Sequence, residues 1–234
     1  HLLQRLAPLD GMVRFTMYES LREYAAGRLA DDPSVSGPLI DQFDTPRLSE
    51  SIRARHASFY AQYGTRERRA ALYGPDAAQT LARYAIEFEN LRAAFEFGLE
   101  HDHHEEAAYA SFAIVRTLHR VGPVSATRAF IEPLLQCALP DRLASKNWAA
   151  YSWWCQTNGQ LSEAGPALTK AQDYAQRSGD RGLQADLSGR RLFLEAIQGK
   201  TENAQANFEA ALAVAEDVDD LDAQQFVLEF FAWV

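Results

Sequence analysis

The sequence predicts an all-α fold in which helix pairs stack side by side into a solenoid. Three observations predict it. Gly159, Ala164, Leu168, Ala171 and Ala175 recur as Gly199, Ala204, Phe208, Ala211 and Ala215, every pair shifted by 40 residues. Apolar residues elsewhere fall three and four apart, the period of one helix face. Alternation with a period of two is confined to the stretch Val13, Phe15, Met17. A Gly between two periodic runs ends one helix and lets the chain reverse, because it alone adopts a left-handed turn without steric cost. Small residues after it let the next helix lie close against the first. Each copy therefore reads as helix, tight turn, helix; the alternative is coincidence in an Ala-rich chain. Such pairs cannot bury their apolar faces alone and must stack.

The 234 residues are 47% hydrophobic and 24% charged, an ordinary globular balance with enough length for a core. The net charge of −9 argues against a polyanion partner unless basic residues cluster. Two cysteines, Cys137 and Cys155, make no disulfide framework and fit a reducing, cytoplasmic setting. No apolar run approaches the roughly 18 residues of a membrane span, and no leader-like segment opens the chain. It begins on His1 rather than Met, as expected of a segment of a longer protein.

In chain order, Leu2, Leu3, Leu6 and Leu9 suit a short helix, Asp10-Gly11 a turn, and residues 13–18 a strand that needs a partner. Ser20 and Glu23 form a capping box for a helix carrying Leu21, Tyr24, Ala25 and Leu29. Residues 30–44 hold Pro33, Gly37 and Pro38 and read as a connector loop. Thr45-Pro46 opens a helix through Ile52, His56, Phe59 and Tyr60 to about Leu72. Tyr73-Gly-Pro-Asp76 breaks the chain again. Helices are expected at 76–83 and 86–101, the second with a stripe of Phe88, Leu91, Ala94, Phe95 and Leu99. Further pairs follow: 105–120 with 125–139, 141–158 with 162–178, and 181–198 with 202–217. A last helix starts near Asp220, and Gly122, Gly159 and Gly199 are the turns within pairs. The domains are thus 1–29, 30–44, 45–104 and 105–234.

With Trp148 heading the first helix, the pattern Gly159, Ala164, Leu168, Ala171 resembles the tetratricopeptide repeat, in a 40-residue variant. In the second copy Ser188, Arg191 and Glu195 stand where that repeat has Trp, Leu and Tyr. The resemblance implies a right-handed α-solenoid. A second resemblance rests on three blocks in order: residues 14–25 (RFTMYESLREYA) with Arg28-Leu29; Arg55-His56-Ala57 with Phe59-Tyr60; and residues 87–100 (EFENLRAAFEFGLE). They resemble the join between winged helix and repeats in bacterial STAND-type regulatory ATPases, including SARP-like and LuxR-type transcription activators. This implies a winged-helix remnant at residues 1–29 and an ATPase module upstream. The chain itself has no G-x-x-x-x-G-K-[ST] phosphate loop.

In such an array the first helix of each pair lines the concave face. The repeat's groove positions fall on Tyr109, Phe112, Arg116 and His119, then on Lys146, Trp153 and Gln156, then on Asp186 and Phe193, and finally on Phe226 and Trp233. Aromatics with a few cations suit an extended peptide or a partner helix; equally, these aromatics can simply pack between helices. Trp153 and Trp154, being adjacent, point in different directions, so at most one is fully core. Other clusters read as structure. His101, His103, His104, Glu105 and Glu106 are too close in sequence for a standard metal site and read as a polar loop. Cys137 and Cys155 read as core thiols. Arg191 and Glu195 read as a surface ion pair, Glu87 and Glu89 as a solvated edge, and Arg66, Arg68 and Arg69 as a solvated helix face.

The function expected is non-enzymatic: the sensing and protein-interaction segment of a bacterial signalling or transcription regulator. It carries no catalytic residues, metal or cofactor, does not bind nucleic acid or membrane directly, and meets a protein or peptide on its concave face. The alternatives are an assembly scaffold beside a protein kinase or similar complex, and an enzyme that uses the solenoid's cavity. The apolar last helix, with Leu228, Phe231 and Ala232, is expected to meet further repeats or a second copy of the chain.

Overall fold

The computed structural model describes residues 3–5, 15–17, 45–200, 202 and 204–232, with side chains from Glu50 onward. The chain divides into two units, residues 1–55 and 56–234. In the first, strand β1 (Leu3–Arg5) pairs antiparallel with β2 (Phe15–Met17), Leu3 facing Met17 and Arg5 facing Phe15. Leu3 to Arg5 therefore form a strand and not the expected short helix: a single strand cannot satisfy its own backbone groups, and the nearest free segment supplies the partner. The Ser20 capping box, the helix after it and the loop 30–44 lie outside the described residues.

Helix α1 spans Thr45–Ala61. It stops eleven residues short of the expected Leu72, and a 3-10 turn (Gln62–Gly64) and the short α2 (Arg66–Ala70) complete that stretch. The reason lies at Gly64. A Cβ there would stand 1.7 Å from the Tyr109 carbonyl oxygen, so the chain crosses another helix's backbone where only Gly fits. Helices α3 (Ala77–Ile86) and α4 (Phe88–Glu100) follow, hinged at Glu87. Glu87 is buried, not a solvated edge, and accepts hydrogen bonds from the Tyr60 hydroxyl (3.1 Å) and the Asn90 amide (2.6 Å). Glu89 remains exposed and pairs with Arg92.

Helix α5 (His104–Val121) is the most buried of the described helices, with Ala107, Ala110, Ala113 and Ile114 fully enclosed. The helix expected over 125–139 is instead a 3-10 turn (Val124–Thr127), the single turn α6 (Arg128–Ile131) and another 3-10 turn (Glu132–Gln136). Pro133 offers no amide donor to continue an α-helix there. Gly122 is accordingly extended (φ −127°) and not a left-handed turn like Gly159 and Gly199.

From residue 141 the helices are regular: α7 (Asp141–Thr157), α8 (Leu161–Ser178), α9 (Arg181–Ile197), α10 (Ala204–Asp217) and α11 (Leu221–Phe231). α8 lies against α7 through Ala164, Leu168, Ala171 and Ala175, all fully buried. These small side chains let α7 approach so closely that its Ser145 and Ser152 hydroxyls reach across to the Ala171 and Ala164 carbonyls (2.7 and 2.8 Å). The 40-residue period returns in the backbone. Gly159 and Gly199 turn left-handed (φ +75° and +77°), and so do Gly179 and Asp219 (φ +68° and +49°). Asp180 caps α9 through the Leu183 amide, as Asp220 caps α11 through the Ala223 amide. Trp154 is core; Trp153 is only partly covered. No described helix is long and apolar enough to cross a membrane.

Candidate functional site

Four helices, α5, α7, α9 and α11, face one another across a cavity of about 220 Å³. The repeat puts the same register of each late helix on its wall: Lys146, Asp186 and Phe226 are spaced by 40, and so are Ala150, Arg190 and Phe230. Lys146 and Arg69 meet at Asp222, at one end of the lining. The C-terminal parts of α5, α7 and α11 supply Arg120, Thr157 and Glu229 to the second end. Arg120 and Thr157 are exposed, so that second end meets solvent.

The closed end is a buried charge network. Asp222 pairs with Arg69 of α2 and lies 3.8 Å from Lys146. Burial alone would raise the Asp222 pKa, but Arg69 and Lys146 outweigh it and hold the carboxyl below its ordinary range. Burial, with the repulsion of Arg69, pushes Lys146 down to about 7 in spite of Asp222. Asp186 accepts from Arg190 at 2.8 Å, yet burial dominates and its pKa is raised. Arg66 continues the network outward, 3.4 Å from Asp220 and donating to the Asp219 carbonyl. Arg66 and Arg69 are thus not a solvated helix face. They meet acids on the opposite wall, and Arg68 lies over the Tyr63 ring.

The open end is different. The Arg116 guanidinium lies over the rings of Tyr73 (5.1 Å) and Phe226 (5.3 Å), and no carboxylate stands within ion-pair distance among the described residues. Burial, with the repulsion of Arg120, pulls its pKa below the ordinary value, against the opposing influence of Tyr73, Glu229 and Asp222. One turn on, His119 is pushed down to about 4 by burial and by the charges of Arg116, Arg190 and Arg120. It is neutral at pH 7, and its Nε2 is enclosed without a hydrogen-bond partner. Across the cavity, Glu229 Oε2 is enclosed in the same way. Between them Phe226 lies under Arg190 (4.2 Å), and Phe230 meets Trp153 edge-on (5.3 Å).

Of the residues the sequence singled out, Phe112, Arg116, His119, Lys146, Trp153, Asp186 and Phe226 line this cavity. Tyr109, Gln156 and Phe193 do not. Tyr109 meets Phe112 edge-on, Gln156 donates to the Ser152 hydroxyl, and Phe193 packs behind Trp153 and Phe230. Trp233 lies outside the described residues. The structure adds Arg69, Arg190, Asp222, Glu229 and Phe230. Arg190 and Phe230 could have been found by carrying the 40-residue shift on from Ala150; nothing local in the sequence points to Arg69.

Elsewhere, His103 pairs with Glu106 and His104 with Asp102. Among the described residues no group of three or more His, Cys, Asp or Glu converges as a metal site. Cys155 is a core thiol, whereas Cys137 is only half-buried at the end of its 3-10 turn. Arg191 donates to Thr169 and Gln172 of α8 (2.9 and 2.7 Å) and is not held in a surface pair with Glu195. Leu228 and Phe231 of α11 keep 48% and 38% of their surface exposed, although Phe231 stacks on Phe208. Comparison with family models, with curated proteins and with solved structures gives no match for the chain.

Proposed function

We propose that this chain is the non-enzymatic sensing segment of a bacterial signalling or transcription regulator. In this reading residues 105–234 are a right-handed α-solenoid of tetratricopeptide-like pairs, and residues 1–29 end a winged-helix-like module. The protein is cytoplasmic, and a protein or peptide partner reads the state of the array. The observation that carries the reading is the cavity: helices from successive pairs line it at the same repeating registers, Lys146, Asp186 and Phe226 in one and Ala150, Arg190 and Phe230 in the other. A cavity of about 220 Å³ is below the roughly 300–1,000 Å³ of pockets for drug-sized ligands. It is too small for an extended peptide, so the signal fits a small molecule held inside.

The test is genetic. Arg116→Ala or Trp153→Ala, introduced into the gene of the source organism, is expected to change the levels of a defined set of transcripts while the protein's abundance stays constant. An unchanged transcript profile at unchanged abundance overturns the regulatory reading.

A further inference from the structure

The cavity's own charges specify more than its size. Its enclosed cations other than Arg116 each stand within ion-pair distance of an acid: Arg69 and Lys146 share Asp222, and Arg190 has Asp186. Arg116 is the exception among the enclosed ones, held between Tyr73 and Phe226 with no acid in ion-pair range among the described residues. Beside it on the same face of α5 stands His119, whose enclosed Nε2 has no partner. On the facing wall Glu229 Oε2 is likewise enclosed and unpartnered. An enclosed polar atom without a partner costs about 1–3 kcal/mol, more when charged. The site thus holds, within one cavity, an unpaired cation with a spare imidazole nitrogen and an unpaired carboxylate. The wall between them is apolar, made by Phe226 and Phe230 on α11 and Trp153 on α7.

We infer that the cavity binds a small zwitterion of the α-amino-acid class with an apolar side chain. The ligand carboxylate faces Arg116 and His119, its ammonium faces Glu229, and its side chain lies among Trp153, Phe226 and Phe230. A simple anion satisfies Arg116 but meets the Glu229 carboxylate; a simple amine satisfies Glu229 but meets Arg116. Only a molecule carrying both groups side by side answers both. Size agrees: a cavity of about 150 Å³ holds a benzene ring, and this one, at about 220 Å³, has room for a ring or branched chain with a short charged head. The inference rests on the sensing reading and names its ligand.

The experiment is calorimetric titration of the 234-residue chain with L-phenylalanine, L-leucine, 3-phenylpropionate and 2-phenylethylamine. At least one amino acid is expected to bind, and both single-charge analogues to bind at least about 30-fold more weakly, as when one partner of a buried charge pair is removed. Arg116→Gln is expected to abolish the preference for L-phenylalanine over 2-phenylethylamine. Glu229→Gln is expected to abolish the preference over 3-phenylpropionate. Circular dichroism establishes that each variant is folded; if one is not, the analogue series on the unsubstituted protein decides alone. No heat with either amino acid, or analogues binding as tightly as L-phenylalanine, overturns the inference. In that outcome the transcript effect of Arg116→Ala still stands or falls on its own, which separates failure of the ligand assignment from failure of the sensing reading.

Discussion

Lys146 and Asp222 show how single residues at the closed end couple charge to stability. Lys146 titrates near 7 in the folded chain because burial disfavours its ammonium, against roughly 10.4 when unfolded. Between those values the unfolded state holds a proton that the folded state has released. Stability therefore rises with pH across that window, by at most about 1.4 kcal/mol per pH unit. Urea melts at pH 7 and pH 9 are expected to show this rise, and Lys146→Met to flatten it; an equal rise in the variant assigns the slope to other groups. Asp222 acts in the opposite range. Its folded pKa lies below the ordinary value, so its stabilisation is full above about pH 4 and is lost as pH falls through the folded pKa. Arg116 differs from both, since rings and not acids hold it.

At the scale of elements, the turns set the repeat. Gly159 and Gly199 both close a helix left-handed, and the amides of Gln160 and Lys200 return to the Cys155 and Glu195 carbonyls (2.8 and 2.9 Å). Neither glycine's missing Cβ would touch anything, so the cost of substitution is conformational alone. Gly159→Ala is expected to destabilise the chain by about 1–2 kcal/mol in denaturant melts with an unchanged m-value; a neutral effect would mean that the turn relaxes. These turns were legible because Gly and Ala mark them in the sequence, and the helices from 141 onward start and stop within about two residues of the expected places. The stretch before them was not. Gly122 resembles the turn glycines by type and spacing, but Pro123 and Pro133 direct the chain into 3-10 geometry. Gly64 breaks α1 for a reason that lies on another helix, the Tyr109 carbonyl. Asp180 and Asp220 were legible in principle, since the same 40-residue shift relates their caps.

At the scale of the second unit, the contact that shapes the site joins residues 153 apart in sequence: Arg69 with Asp222, supported by Arg66 with Asp220. Periodicity places a residue on a face of its own helix; it carries no information about which distant helix will lie opposite. That is why the aromatic wall could be read and its closure could not, and why three neighbouring arginines resembled a solvated face. The contact closes one side of the cavity, which Arg69 and Asp222 both line. Without it α2 has little hold on α11, since none of the residues of α2 is buried. Removing one partner leaves the other charge enclosed, so each of Arg69→Ala and Asp222→Ala is expected to cost about 3–5 kcal/mol. Because the two changes remove the same interaction, the double variant is expected to cost less than their sum by about 0.5–3 kcal/mol. Equilibrium urea unfolding of the four proteins measures that coupling. Hydrogen exchange adds the location: Arg69→Ala should speed exchange of the α11 amides while leaving those of α8 protected by their packing on α7. Strict additivity, with α11 exchange unchanged, would show that the pair sits beside the closure without holding it.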